Sequence, residues 1–228
     1  MTKWYSLPPR VLQTLAWAPT RFLLLNFFCH FEVKGKENLK GLRQAIFAVN
    51  HSNELDPIVL TAALSPLGGF APMFYVGAPT EEFNDDRFGW RRYIYKDWFF
   101  KGWGSYPIRP GLKNYEKSLK SHEEILKDGG SLCMFPEGGI TKDGLLREGH
   151  GGISFLSHKT GVPIVPVAIV GTFTLSPSVF LSGKRRISLR FATPLSQNDL
   201  FGNIEPTTPE HYKSAAKVVM KGISELLR

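Results

Sequence analysis

The sequence has few cysteines. Cys29 and Cys133 are the only two among its 228 residues, so they cannot build a disulfide framework. Both lie in apolar runs, where a buried free thiol is the expected state. This cysteine usage favours a reducing compartment.

Acidic side chains are also scarce. The chain has 20 Asp and Glu against 28 Lys and Arg, which gives a formal net charge of +8 and a pI near 9.5. Such a surface favours anionic partners, namely nucleic acid, anionic lipid headgroups or phosphorylated substrates. Hydrophobic residues make up 43%, and Gly and Pro are dispersed, so disordered, fibrous and collagen-like classes are excluded.

An uninterrupted apolar run of membrane-spanning length is missing as well. Residues 11–31 come closest, but Gln13, Pro19, Arg21 and Asn26 break the run. We therefore expect residues 1–33 to form a helix pair or a bent helix that lies on a membrane surface. Arg10 and Arg21 would lie at headgroup depth, with aromatic rings reaching the acyl boundary: Trp4, Tyr5, Trp17, Phe22, Phe27 and Phe28. The alternative is an ordinary helix packed on the domain core.

Residues 34–228 alternate between strand-like and helix-like segments. Short apolar runs predict strands at 45–50, 131–135, 162–169 and 186–192. Helical spacing predicts a helix over 113–127 that ends at Gly129-Gly130, and a C-terminal helix that begins at Thr208-Pro209. The pattern predicts a single α/β domain with a central, largely buried mixed sheet covered by helices.

A histidine and an aspartate follow the first predicted strand, five positions apart. If the turn folds back, Asp56 can hold one N–H of the His51 ring, and the other ring nitrogen stays free as a base. The alternative is a loop-capping histidine with an aspartate at a helix N-cap.

The second predicted strand is followed by the motif Phe135-Pro136-Glu137-Gly138, then Gly139. Its glycines leave backbone N–H groups accessible to an anionic group, and Glu137 would be an isolated carboxylate at the lip of the sheet. The alternative is a Pro-Gly turn that carries a surface glutamate.

Four ordered blocks of this sequence resemble the glycerolipid acyltransferase family, in particular the 1-acylglycerol-3-phosphate O-acyltransferases. The blocks are His51 to Asp56, Gly104 to Arg109, Phe135 to Gly138 and Val162 to Val167. The resemblance implies that Arg109 contacts the acceptor's phosphate. The chain departs from the family where Gly139-Ile140 replaces Thr-Arg, so Lys142 or Arg147 would have to supply the missing cation. We therefore expect substrate binding by Arg109, Glu137, Gly138 and Gly139, together with Lys142 or Arg147.

The chemistry that this resemblance implies is direct acyl transfer. The sequence has no Gly-x-Ser-x-Gly motif, and neither cysteine lies beside a histidine motif. His51 would act as the general base and Asp56 would orient it, with acyl-CoA or acyl carrier protein as the thioester co-substrate and no other cofactor. The His and Cys residues show none of the paired spacings that are typical of metal ligands, so we expect no metal site. The acceptor stays open among 1-acylglycerol-3-phosphate, another lysophospholipid, a lyso-aminolipid and glycerol-3-phosphate.

An aromatic and basic stretch covers residues 83–106, with ten aromatic and five basic side chains. This pattern is typical of a membrane interface, where rings lie at headgroup depth and cations contact lipid phosphates. It is also found in modules that bind single-stranded nucleic acid. With the four blocks present, we expect an anionic membrane surface on the cytoplasmic face as the partner, and no nucleic acid.

Overall fold

The computed structural model describes residues 4–108 and 114–228, with the backbone alone at positions 23, 24, 87, 177 and 181. Over these residues seven strands form one sheet: β1 (Cys29–Lys34), β2 (Ile46–Val49), β3 (Met73–Gly77), β4 (Ser105–Pro107), β5 (Ser131–Met134), β6 (Ile164–Val170) and β7 (Arg185–Phe191). Their order is β1-β7-β6-β2-β5-β3-β4. Strands β6, β2, β5, β3 and β4 run parallel, whereas β7 is antiparallel to β6 and parallel to β1. The predicted mixed sheet is confirmed.

Helices cover both faces of this sheet. The α-helices are α1 (Leu7–Ala18), α2 (Asp56–Ala63), α3 (Asp97–Gly102), α4 (Tyr115–Ser118), α5 (Lys120–Lys127), α6 (Gly152–Thr160), α7 (Pro177–Leu181), α8 (Gln197–Phe201) and α9 (Pro209–Leu227). A π-helix covers Pro19–Phe27, and 3₁₀ helices cover Trp4–Ser6, Lys36–Leu39, Thr80–Asn84 and Asp86–Tyr93.

Strand β2 shows how the two apolar layers form. Its alternate side chains Ile46 and Ala48 pack in one core cluster with residues of α5, α6 and α9, whereas Phe47 and Val49 pack in the other with residues of α2. All four residues are fully buried, as expected for a central strand covered on both faces. The four strand predictions are confirmed within two residues at each end. The predicted helix over 113–127 forms as α4 and α5, separated at Leu119, and residue 113 lies outside the described residues.

The N-terminal segment differs from its prediction in two ways. Residues 29–33, expected to be helical, belong to strand β1, which pairs with β7 because the alternating run CHFEVK fits a half-covered edge strand. Several side chains expected at the membrane instead bind the domain: Tyr5 donates to Asp128, Arg10 to the Ala71 carbonyl and Trp17 to the Leu64 carbonyl, while Phe28 contacts Phe180 and Arg21 lies over Phe31.

Helix α1 turns its apolar side chains outward. Gln13, on the inner face, donates to the carbonyls of Met73 and Trp103 at 2.7 and 2.9 Å and accepts from the Met73 N–H at 2.8 Å. Leu7, Val11 and Leu15, spaced four apart on the other face, are exposed, and so are Trp4, Phe22 and Phe27. We call Leu7, Val11 and Leu15 the outer stripe of α1. None of the helices in the described residues is long and apolar enough to cross a bilayer.

The aromatic and basic stretch folds into a small ring cluster with exposed aromatics around it. Phe83, Phe88, Tyr95, Phe99 and Phe100 contact one another, while Trp90, Tyr93 and Trp98 are exposed. The basic side chains described here have partners: Arg91 pairs with Glu54, Arg92 with Asp86, Lys101 with Asp97, and Lys96 donates to Asn84. Residues 80–103 contain five acidic and five basic side chains, so this surface carries no excess of cations for lipid phosphates.

Candidate active site

The candidate site lies where three neighbouring parallel strands end. β2 lies between β5 and β6 and runs parallel to both, so the segments that follow all three emerge at one edge of the sheet. His51 follows β2, the motif Phe135 to Gly138 follows β5, and Thr172 follows β6. Ligands of α/β sheets bind at this carboxyl edge.

The structure brings His51 and Asp56 together. Nδ1 of His51 lies 3.0 Å from Oδ2 of Asp56, which also accepts the N–H groups of Ser52 and Asn53 at 2.7 and 2.8 Å. Asp56 begins α2 and is fully buried, whereas the His51 side chain keeps 16% of its surface exposed. Since Asp56 holds Nδ1, the lone pair of Nε2 is available toward solvent, and Nε2 has no partner among the described residues. This arrangement suits a general base.

The imidazole is also held by an aromatic ring. The ring of Phe135 stacks on that of His51 with centroids 3.9 Å apart and an interplanar angle of 19°. The stacked ring and the Asp56 contact together limit rotation of the imidazole. The sequence motif contained Phe135, but it gave no signal that this ring contacts His51.

Polar side chains tie the loop after β2 to the end of β6. Asn50 accepts the N–H of Ile169 at 2.7 Å and donates to its carbonyl at 3.0 Å, so the side chain continues the β2–β6 pairing. Ser52 and the fully buried Thr172 share a hydroxyl contact of 2.8 Å, and Asn53 donates to the Thr172 carbonyl at 3.1 Å. The turn that carries His51 is therefore fixed to the end of β6.

Glu137 does not stand as an isolated carboxylate at the lip of the sheet. Its side chain is 1% exposed, and its two oxygens accept the main-chain N–H groups of His51 and Arg147, both at 2.8 Å. The prediction of an isolated carboxylate is wrong, because both oxygens accept main-chain N–H groups inside the protein; a contact of Glu137 with substrate stays a prediction. Glu137 instead joins the His51 backbone to the loop that contains Arg147.

The turn after Glu137 lies against the His51 backbone. The N–H of Thr141 donates to the His51 carbonyl at 2.8 Å, and Gly138 adopts a positive φ of 73°. Gly138 and Ile140 are exposed and Gly139 is half-buried. The Gly138 N–H donates to the Phe135 carbonyl, so the turn beside His51 does not leave this donor free, and anion binding by its glycines stays a prediction.

Of the basic residues predicted to bind substrate, one lies beside this turn. Arg147 lies beside the turn: its guanidinium donates to the Gly139 carbonyl, and its Nε lies 3.9 Å from Glu137 Oε2. Lys142 is exposed and has no polar partner within the described ranges. Arg109 lies outside the described residues.

A cavity of about 160 Å³ adjoins His51. Its lining combines polar residues, among them His51 and Glu137, with the apolar side chains of Leu145, Leu146, Phe173 and Leu227. Pockets of this composition accept a small-molecule group next to a reactive side chain.

The described residues contain no cluster of three or more His, Cys, Asp or Glu side chains that could hold a metal ion. Cys133 lies in β5 and is fully buried, and burial together with the charge of Asp56 raises the pKa of its thiol. A thiol in this state is a poor nucleophile.

Three comparisons with known proteins agree on one family. A family model described as Acyltransferase matches residues 30–170. The chain is 28% identical over 135 residues to a probable 1-acyl-sn-glycerol-3-phosphate acyltransferase of Mycoplasma pneumoniae, which covers 57% of this chain and 46% of that protein. It is 29% identical over 153 residues to the chloroplastic 1-acyl-sn-glycerol-3-phosphate acyltransferase of Arabidopsis thaliana, covering 66% of this chain and 39% of that protein. The matches span less than half the length of these curated relatives.

The fold is similar to that of a solved structure. The crystal structure of the 1-acyl-sn-glycerophosphate acyltransferase from Thermotoga maritima has a TM-score of 0.65, with 95% of this chain and 79% of that chain covered. The sequence identity is 22%, so this likeness shows the α/β fold.

Proposed function

The chain belongs to the acyltransferase family, and from that premise we propose that it transfers a fatty acyl group from an acyl thioester to the free hydroxyl of a lysophospholipid, 1-acylglycerol-3-phosphate being the favoured acceptor. The observation that carries this proposal is the 3.0 Å contact between His51 Nδ1 and the buried Asp56, which leaves Nε2 open at the carboxyl edge of the sheet. The two curated relatives are 1-acyl-sn-glycerol-3-phosphate acyltransferases by name, which supports the acceptor class.

The proposed reaction is a direct transfer with His51 as the base. Nε2 takes the proton of the acceptor hydroxyl while its oxygen attacks the thioester carbonyl, and Asp56 stabilises the imidazolium that forms. The tetrahedral intermediate collapses by breaking the C–S bond, and the imidazolium returns the proton to the leaving thiolate. General base catalysis of this kind contributes about 10²- to 10⁴-fold.

Among the described residues no serine or cysteine pairs with the His51 ring as a nucleophile, which supports direct transfer. The sequence contains no Gly-x-Ser-x-Gly motif, and burial holds the Cys133 thiol in its protonated form. The donor in this proposal is acyl-CoA or acyl-carrier protein, because both present the same thioester. The acceptor alternatives are another lysophospholipid, a lyso-aminolipid and glycerol-3-phosphate.

We propose attachment to a membrane surface on the cytoplasmic side through the outer stripe of α1 and the exposed aromatics of residues 83–106. Both elements lie close together, since Gly102 of α3 faces Leu12 of α1.

Substituting Leu7, Val11 and Leu15 by serine should strongly reduce flotation with phospholipid vesicles, whereas Ile204→Ser, an exposed site after α8, should leave it unchanged. High salt should release only part of the bound protein, because apolar insertion is not screened. Complete release by salt would contradict the apolar contact.

The activity is tested by acyl transfer with purified protein over a panel of lysolipids and both thioester donors. His51→Ala should reduce turnover by about 10²- to 10⁴-fold without loss of folding. His30→Ala, on the edge strand β1, is the matched control and should retain activity. Near-normal turnover by folded His51→Ala protein would contradict the mechanism.

A further inference from the structure

The start of β7 carries three consecutive basic residues, Lys184, Arg185 and Arg186. Residues 149–198 contain five Lys or Arg and no Asp or Glu, so no acidic side chain of this segment offsets their charge. Lys184 and Arg186 are exposed, and their side chains have neither an ion pair nor a hydrogen bond in the described parts of the chain. We call these two side chains the β7 cations. Their charge is available to an anionic ligand.

The β7 cations lie at the carboxyl edge of the sheet, where the candidate active site also lies. Strand β7 is antiparallel to β6, and Val170, the last residue of β6, pairs with Ser188. Residues 184–186 therefore extend beyond the end of β6. Strand β2, which leads into His51, is two strands away from β7, a distance of about 10 Å across the sheet.

The segment after β6 is in direct contact with the start of β7. Arg185 donates from Nε to the Gly171 carbonyl at 2.6 Å and from a second guanidinium nitrogen to the Phe173 carbonyl. Gly171 has a positive φ of 99°, and a β-carbon at this position would clash with the Arg186 carbonyl oxygen. Gly171 and Phe173 both line the cavity beside His51. The β7 cations are therefore anchored at the wall of that cavity.

The alternation of β7 gives the direction of the Arg186 side chain. Arg186 points to the face of the sheet that α9 covers, as does Arg190, which donates to the Leu226 carbonyl of α9 at 2.7 Å. Val170, which pairs with Ser188 on this face, lines the cavity. The remaining side chains of β7 pack in the apolar cluster on the opposite face: Ile187, Leu189 and Phe191. Arg186 and the cavity thus share one face of the sheet.

The cations next to Arg186 on this face are already engaged. Lys34 of β1 pairs with Glu32 at 3.2 Å, and Arg190 binds the α9 carbonyl. A folded carrier protein needs a broad complementary surface, whereas a compact group with several phosphates needs a few cations close together. Coenzyme A has such a group, because its diphosphate and its ribose phosphate lie at one end of the molecule and its thiol at the other.

We propose that Lys184 and Arg186 bind the phosphates of a coenzyme A thioester, whose pantetheine arm passes Gly171 and Phe173 and places the thioester carbonyl beside His51. The proposal rests on the proposed acyl transfer and assigns its donor. Neither residue belongs to the four sequence blocks, and only the antiparallel return of β7 brings them to the cavity.

The first test compares two thioester donors that differ in their phosphates. In a double variant with Lys184→Ala and Arg186→Ala, kcat/KM for acyl-CoA should fall by about ten- to a hundredfold, mainly through KM, because charge-assisted hydrogen bonds to the phosphates are lost. An S-acyl pantetheine has the same arm and thioester but no phosphate, so its kcat/KM should stay unchanged. Equal losses for both donors, or no loss for acyl-CoA, would overturn the proposal.

The matched control is a double variant with Lys40→Ala and Arg43→Ala. Both residues are exposed and precede β2, so they lie at the opposite edge of the sheet. This variant loses the same two charges and should keep the parent's kcat/KM for both donors. A loss for acyl-CoA as large as in the first variant would show an effect of net charge alone and overturn the proposal.

Two other anionic partners are distinguished with the same variants. A loss with acyl carrier protein as the donor, and none with acyl-CoA, would assign the β7 cations to the carrier protein. Weaker flotation with anionic vesicles, together with unchanged use of acyl-CoA, would assign them to lipid headgroups. Either result would overturn the proposal.

The second test does not require turnover. Free coenzyme A should bind to the full chain in a calorimetric titration, and the Lys184→Ala, Arg186→Ala variant should bind it about tenfold or more weakly. Binding of coenzyme A by a protein that acylates no lysolipid would leave the phosphate site standing and refute the proposed function. Transfer from acyl-CoA at the parent's kcat/KM in this variant would refute the phosphate site alone.

Discussion

Replacing Glu137 by glutamine tests whether this carboxylate holds the site together. The carboxylate accepts two main-chain N–H groups, from His51 and Arg147, both at 2.8 Å and almost fully buried. Glutamine keeps one acceptor oxygen, so one of the two N–H groups would face the amide NH₂ and lose its acceptor. A hydrogen bond to a charged acceptor contributes about 1.5–3 kcal/mol, and a buried donor without an acceptor costs about 1–3 kcal/mol.

We therefore expect the free energy of unfolding to fall by about 2–3 kcal/mol in Glu137→Gln. For a chain of this size each kcal/mol corresponds to about 2–4 °C in Tm, so Tm should fall by about 4–12 °C. Turnover should fall as well, because a base displaced by about 1 Å can lose about 10²-fold. Thermal unfolding and acyl transfer of the same preparation measure the two effects.

The matched control is Glu225→Gln, which removes a charge from an exposed pair with Lys221 on α9. An exposed helix pair contributes little, so its Tm and turnover should stay close to those of the parent. If Glu137→Gln behaves like Glu225→Gln in both assays, the carboxylate does not hold the His51 loop, and the reasoning is refuted.

Three further substitutions test other parts of the structure. Asp56→Asn should lower kcat by about 10²- to 10⁴-fold with a small change in KM, since an amide no longer stabilises the imidazolium; equal effects on kcat and KM would argue against an orienting role. Burial lowers the pKa of His122 in the folded chain to about 4. In the unfolded chain this histidine takes up a proton below about pH 6.5, so the folded state loses stability as the pH falls from there toward 4. Because of this group, the free energy of unfolding measured with urea should be about 2 kcal/mol lower at about pH 5 than at about pH 7, and His122→Gln should remove this difference. The same pH dependence in the variant as in the parent would contradict the prediction. Gln13→Leu should speed hydrogen exchange of α1 and of the Met73 N–H, because three hydrogen bonds disappear; identical exchange would show that α1 is held by other contacts.

The sequence predicted the centre of the fold better than its edges. Strands β2, β5 and β6 are continuous apolar runs because both of their faces are covered, and such runs are visible without a structure. The edge strands β1 and β4 were missed: β1 follows directly on an aromatic segment that suggested a helix, and β4 has only three residues. β3 was missed as well.

For the site, the sequence predicted that His51 and Asp56 lie together but not the other contacts that hold them. The spacing of His51 and Asp56 matched the contact that the turn makes, because both residues lie on one short loop. The prediction that Glu137 is an isolated carboxylate was wrong, because its partners are main-chain N–H groups, which leave no signature in the residue types around it. Thr172 reaches the site only through the packing of β6 beside β2, so no local pattern indicates it.

The way in which Glu137 holds the loops has a consequence for engineering. It binds main-chain atoms on both sides, and the Thr141 contact to His51 is also made by main-chain atoms. The residue types at positions 139, 140, 142 and 147 are therefore not needed to keep the His51 backbone in place. A combinatorial library confined to these four positions, with Glu137 kept, should change acceptor preference while the turnover chemistry survives. The contacts that hold the His51 loop thus do not depend on the side chains at these four positions, so under the proposed function acceptor preference can be altered without rebuilding the surroundings of His51.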